Sequence, residues 1–184
     1  MAKEPLVILD DILKTAKADG KMIENYRNRL EKGAINVQDN PISHFCVYFA
    51  AYDPINKLVF IGLHKKSGLW LFNGGHIDKN ETPKQALKRE IKEEWGIDMD
   101  VDNLAPKLLT ITNIVSNPAK RPCQTHFDIW FFIPQDRNKF APDNNLLFQE
   151  FHEAGWKTFN EARCLAKDPN TLKGINEIEK YENH

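Results

Sequence analysis

The chain has 184 residues, 41% of them hydrophobic, and a formal net charge of −1 at pH 7. That suits one domain with a proper core and an extension, and no broad basic surface announces nucleic acid or a membrane. Cys46, Cys123 and Cys164 are odd in number and far apart, which excludes a disulfide framework and a CxxC zinc pattern and points to a reducing cytoplasm. The start, MAKEPLVILDDILK, has too short an apolar run and too much acid for a signal peptide. No stretch approaches the roughly 20 apolar residues of a membrane span.

In chain order, residues 4 to about 33 read as helical. Leu6, Ile8, Leu9, Ile12 and Leu13 make an amphipathic stripe, Gly20 interrupts it, and a second helix runs to about Lys32. We take 1–40 as a helical N-terminal extension and 41–184 as the main domain. Strands are expected at 44–53 and 57–66, joined as a hairpin through PIN, with WLFNGG (70–75) following. Thr82, Pro83 and Gln85 open a helix as N-cap, first helical residue and capping-box partner, and Gly96 closes it. Leu87, Ile91 and Trp95 give that helix one apolar stripe. Further strands are expected at 107–116, 125–134 and 150–159, then helices over 160–167 and 171–183, with Glu150 and Glu153 in a loop entering the last strand. The order is α+β.

The helix breaks a local rule at its end. In REIKEEWG, Glu90, Glu93 and Glu94 crowd the last turns, where the helix dipole favours cations, and Glu90 and Glu94 repel at i, i+4. Three carboxylates in one small volume suit a hard divalent cation such as Mg²⁺. The competing reading is a solvated acidic face relieved by Lys88 and Lys92 at helical spacing.

From Gly75 the chain runs GHIDKNETPKQALKREIKEEWGI, which is G, five residues, E, seven residues, R-E-apolar-x-E-E-x-G-apolar. This resembles the Nudix hydrolase signature with every fixed position filled, a coincidence on the order of 10⁻¹⁰ per window from average residue usage. The resemblance, over about residues 44–165, implies the Nudix fold, a mixed sheet sandwiched between helices. It also implies an Mg²⁺-dependent pyrophosphohydrolase, with Mn²⁺ as a substitute, that cleaves a phosphoanhydride in a nucleoside diphosphate linked to another moiety. A nucleoside triphosphate is one such substrate. Carried over, Glu90, Glu93 and Glu94 become metal ligands with the Gly75 carbonyl, and Glu81 and Arg89 a bracing pair. Glu93 and Glu94 become catalytic residues.

Other residues are weighed on both sides. Lys65 and Lys66, beside His64, are candidate phosphate contacts or a solvated hairpin end; Arg121, beside Lys120, is a candidate contact from a loop. His126 and Asp128 share one strand face and either read the leaving group or line a polar outer face. Trp70, Phe72 and Trp130 either stack on a base or fill core. The six histidines lack HxxxH spacing, which argues against zinc. Phe72 and Asn73 stand before Gly74 and Gly75, where Nudix chains commonly have a proline just ahead of the glycines, a departure that bears on base recognition. Glu153, before Trp156, is the candidate general base, with Glu150 as its rival. A ligand-binding module without turnover is the alternative function. An isopentenyl-diphosphate-isomerase-like enzyme needs a loop cysteine ahead of the box, whereas Cys46 is mid-strand. The expected partner is a small nucleotide-type diphosphate, with no nucleic acid and no membrane; oligomeric state is left open, a homodimer included.

Overall fold

The computed structural model describes residues 12–13, 18–114 and 123–182. In chain order the elements are α1 (Gly20–Leu30), β1 (Ser43–Asp53), β2 (Leu58–His64), β3 (Trp70–Leu71), β4 (Asn73–His76), α2 (Pro83–Trp95), β5 (Leu108–Asn113), β6 (Thr125–Pro134), α3 (Asn144–Glu150), β7 (Phe151–Thr158), α4 (Phe159–Leu165) and α5 (Pro169–Glu182). This is α+β with a mixed sheet in the order β3-β2-β1-β6-β5, β4 also pairing β1 and β7 pairing β2. The expected strands and helices are present with ends shifted by a few residues; α3 replaces the expected loop before the last strand. Most of the expected first N-terminal helix, and Lys120 and Arg121, lie outside the described residues.

Contacts divide the chain into two compact units. The first comprises Met1–Tyr48, Gly74–Leu87 and Asp102–Phe131; the second comprises Phe49–Asn73, Lys88–Val101 and Phe132–His184.

In the first unit, Asp19 caps α1 by accepting from the Met22 N–H at 2.8 Å, so Gly20 opens this helix. The helix buries Tyr26 completely, edge-on to Phe45 at 5.7 Å and to Phe127 at 5.1 Å. Its hydroxyl reaches the carbonyls of Thr110 (2.8 Å) and Asp128 (2.7 Å), which face each other across β5 and β6. A buried hydroxyl with no acceptor would cost about 1–3 kcal/mol, so Tyr26 docks the helix in one register. Arg29 follows, 4% exposed, donating to the Gly33 and Ala34 carbonyls at 2.7 Å each and closing the turn after the helix.

In the second unit, β1 and β2 form the expected hairpin, with Tyr52 opposite Val59 and Asp53 opposite Leu58. Asp53 Oδ1 takes the N–H groups of Ile55 and Asn56, both at 2.9 Å, which specifies the turn. Trp95 sits edge-on to Phe49 (4.8 Å) and Phe140 (4.9 Å), and Phe140 meets Phe60 (5.1 Å) and Trp156 (5.5 Å). Edge-to-face pairs of this kind add about 0.5–1.5 kcal/mol each beyond burial. They anchor the C-terminal end of α2.

Candidate functional site

Helix α2 starts as the sequence specifies: the Thr82 N–H donates to Gln85 Oε1 at 2.8 Å, and the Gln85 N–H to Thr82 Oγ1 at 3.3 Å. Leu87 and Ile91 are fully buried and Trp95 is 1% exposed, so the apolar stripe faces the core as expected. Gly96 has φ +71°, and a Cβ there would come 3.0 Å from Asp143 Cβ. Both the left-handed backbone and the close neighbour require glycine.

That stripe decides where the acids go. Glu90 and Glu94 are 9% and 8% exposed, whereas the Glu93 side chain is 58% exposed. Arg89 Nη1 bridges Glu90 Oε1 at 2.7 Å and Glu93 Oε2 at 3.1 Å. The buried side-chain amide of Asn73, 2% exposed, donates to Glu94 Oε2. The lysines of the solvated-face reading turn elsewhere: Lys88 lies 3.7 Å from Asp98, and Lys92 donates to the Gly96 carbonyl at 3.3 Å. Two nearly buried carboxylates thus gather with one guanidinium and one neutral amide at the end of a helix where the dipole disfavours acids. Burying such charge is costly unless a cation joins it, and an all-oxygen donor set fits a hard one.

Asn73 is the residue that sequence reasoning missed. Its departure from the family pattern bore on base recognition, yet its amide orients a box carboxylate. Asn73→Ala is expected to raise the Mg²⁺ concentration for half-maximal activity by about 10–100-fold, the usual cost of losing a group that orients a metal ligand. A metal titration of initial rates, unchanged from wild type, would reject that role.

The remaining box residues lie in the first unit. Gly75 is on β4 beside Gly74, where a Cβ would come 2.6 Å from the Val47 carbonyl oxygen. No side chain fits there. Glu81 Oε2 accepts the Asp78 N–H at 3.0 Å, bracing the loop ahead of α2.

In the second unit, Glu150 ends α3 and Glu153 lies on β7 opposite Leu63, so neither is in a loop. Lys66 Nζ holds both Glu150 oxygens, at 2.9 and 2.7 Å, and His64 Nε2 is 3.5 Å away. Partial burial favours the Glu150 acid form, but Lys66 and His64 outweigh it and hold the carboxyl below its ordinary range. Lys65 donates through its ammonium to the Phe148 carbonyl. Glu153 is 59% exposed, with Lys157 Nζ at 3.4 Å.

Asp128 is fully buried, accepting from Thr110 Oγ1 at 3.0 Å and from the Thr112 hydroxyl. Its face is therefore not a solvated sheet surface. Trp130 is core, stacked on Tyr48 at 4.5 Å with its indole N–H on Thr110 Oγ1 at 2.8 Å. Phe72 is 2% exposed; Trp70 is half-buried with Lys157 Nζ 5.2 Å from its ring centre. His126 lies beside His44 and His76, and burial together with those two rings pushes it down to about 3, so it is neutral.

No helix among the described residues is long and apolar enough to cross a membrane. A sequence profile of the NUDIX domain matches residues 46–177. The chain is 59% identical over 32 residues to an 8-oxo-dGTP diphosphatase of Proteus vulgaris, covering 17% of this chain and 29% of that one. It is 47% identical over 36 residues to a CTP pyrophosphohydrolase of Escherichia coli strain K12, covering 20% and 27%. The chain thus spans under a third of the length of these relatives. The solved structure of the E. coli dihydroneopterin triphosphate pyrophosphohydrolase superposes with a TM-score of 0.56 at 20% identity, covering 72% of this chain and 92% of that one. With the profile spanning most of the chain and the fold matching, the chain belongs to the Nudix family.

Proposed function

We propose that this chain is an Mg²⁺-dependent hydrolase, with Mn²⁺ as a substitute, that cleaves a phosphoanhydride in a nucleoside diphosphate linked to another moiety. The observation that carries the reading is the set of two nearly buried carboxylates, Glu90 and Glu94, with Glu93 at their edge on α2. The names of the two curated relatives, which refer to nucleotide substrates, support the substrate class. The cation supplies charge neutralisation for the phosphates and acidifies a water for attack.

The chain's own residues do the positioning. Asn73 orients Glu94, and Arg89 spaces Glu90 from Glu93. Glu153, mostly exposed with Lys157 Nζ at 3.4 Å, is the carboxylate we assign to accept the proton of the attacking water. Lys65 is the candidate phosphate contact, since its ammonium donates to the neutral Phe148 carbonyl, whereas the Lys66 charge is paired with the Glu150 carboxylate. The substrate is a small anionic nucleotide, and the separated cysteines fit a reducing cytoplasm.

The test is a hydrolysis screen over nucleoside triphosphates, nucleotide sugars, ADP-ribose, dinucleotides and capped RNA. Turnover is expected with Mg²⁺ or Mn²⁺ and is lost in excess chelator. Full activity in chelator overturns the metal mechanism, and no turnover on any substrate with either metal favours a binding module.

A further inference from the structure

We propose that His44, His76 and His126, together with the Cys46 thiolate, bind one Zn²⁺ ion. All four lie in the first unit, on β1, β4 and β6, and none of them is an acidic residue of α2. One ligand atom from each lies within 4.8 Å of every other. Three imidazoles and a sulfur are a zinc donor set, whereas hard cations take oxygens.

The geometry favours metal over a chance meeting of side chains. His44 is fully buried, and its Nδ1 lies 3.0 Å from the Asn40 carbonyl oxygen, which can only accept. Nδ1 therefore carries the proton, leaving the Nε2 lone pair for the cluster, the orienting arrangement usual for metal-bound histidine. His76 Nε2 and His126 Nε2 are 3.3 Å apart. Zinc bond lengths put neighbouring donors about 3.3 Å apart for N–N and about 3.6 Å for N–S around a tetrahedron. The N–N edge is thus already formed. Cys46 is 2% exposed and sits two residues after His44 on β1, so both point to one face. His76 is exposed and leaves an entry path.

Cys123 completes the surroundings. Its Sγ lies 2.8 Å from His126 Nε2 and 3.6 Å from His44 Nε2. It sits at the rim as a second sulfur contact, while Cys46 belongs to the mutually close set. On binding, Cys46 gives its thiol proton to solvent and the imidazoles bind neutral. Because His76 ends β4, the ion would tie the strand carrying Gly74 and Gly75 to β1 and β6. Its role is structural, and loading should raise the melting temperature.

The test uses the full chain, stripped of metal and titrated with Zn²⁺ against a chromophoric chelator. Excess Mg²⁺ is present so that the acidic residues of α2 do not compete. One equivalent is expected to bind, and the same in Glu93→Gln. Co²⁺ in place of Zn²⁺ should give the intense visible bands of a tetrahedral site with a thiolate-to-cobalt charge-transfer band. His76→Ala, at an exposed position and checked for folding by circular dichroism, should weaken binding by more than about 100-fold, beyond the loss of an orienting group. The charge-transfer band should vanish in Cys46→Ser and persist in Cys123→Ser. Failure of the folded wild type to bind, or wild-type affinity in His76→Ala, overturns the site. Loss of the band in Cys123→Ser alone overturns the assignment of Cys46.

Discussion

Glu94→Gln is expected to lower kcat by about 10³-fold or more while leaving the metal-free fold as stable as wild type. Metal-borne charge neutralisation is worth several kcal/mol of barrier, and about 1.4 kcal/mol is tenfold in rate. Glutamine keeps the shape and can present its carbonyl oxygen to the Asn73 amide, so the contact that orients residue 94 survives. What disappears is one negative charge at a helix C-terminus, four residues from Glu90. Both the dipole and the like-charge pair then favour the variant in the absence of metal. Calorimetry in chelator, beside steady-state rates in Mg²⁺, separates the two effects. A drop in metal-free melting temperature of more than about 4 °C, roughly 1 kcal/mol at this size, makes Glu94 a structural residue instead.

Glu153→Gln is expected to lower kcat by about 10²–10⁴-fold, with KM nearly unchanged, as for loss of a general base. Two observations favour Glu153 over Glu150. Both Glu150 oxygens are held by Lys66, and Lys66 with His64 holds that carboxyl below its ordinary range, so it is a weaker proton acceptor. Among the described residues the Glu153 ion pair is the longer Lys157 contact, and Glu153 stands mostly in solvent. A base works only when deprotonated, so activity that depends on a carboxylate base shows an acidic limb in its pH–rate profile. In the variant that acidic limb should move or vanish. A near-normal kcat with the limb intact returns the role to Glu150 or to a box carboxylate such as Glu81.

The reach of sequence reasoning follows the range of the interactions involved. The capping box of Thr82 and Gln85, the stripe Leu87–Ile91–Trp95, the stop at Gly96 and the clustering of Glu90, Glu93 and Glu94 were all legible. Each is set by backbone geometry within about one turn. The β1–β2 hairpin was legible because Asp53 and the turn residues specify it locally. By itself, then, the sequence determined the helix of the box, the carboxylates on it and the alternation of strands and helices.

Tertiary structure alone decided how those parts are engaged. Burial of Glu90 and Glu94, the pairing of Asn73 with Glu94 and the capture of Glu150 by Lys66 join residues that no local rule connects. The absence of HxxxH spacing argued against zinc, but that rule assumes ligands on one helix. His44, His76 and His126 come from three strands, so their meeting is set by strand pairing and not by spacing. Asp128 went inward for the same reason: Thr110 and Thr112 on the neighbouring strand donate to its Oδ2, and alternation along β6 carries no record of those partners. Non-local hydrogen bonds and burial are properties of which strands become neighbours, and only the folded chain fixes that.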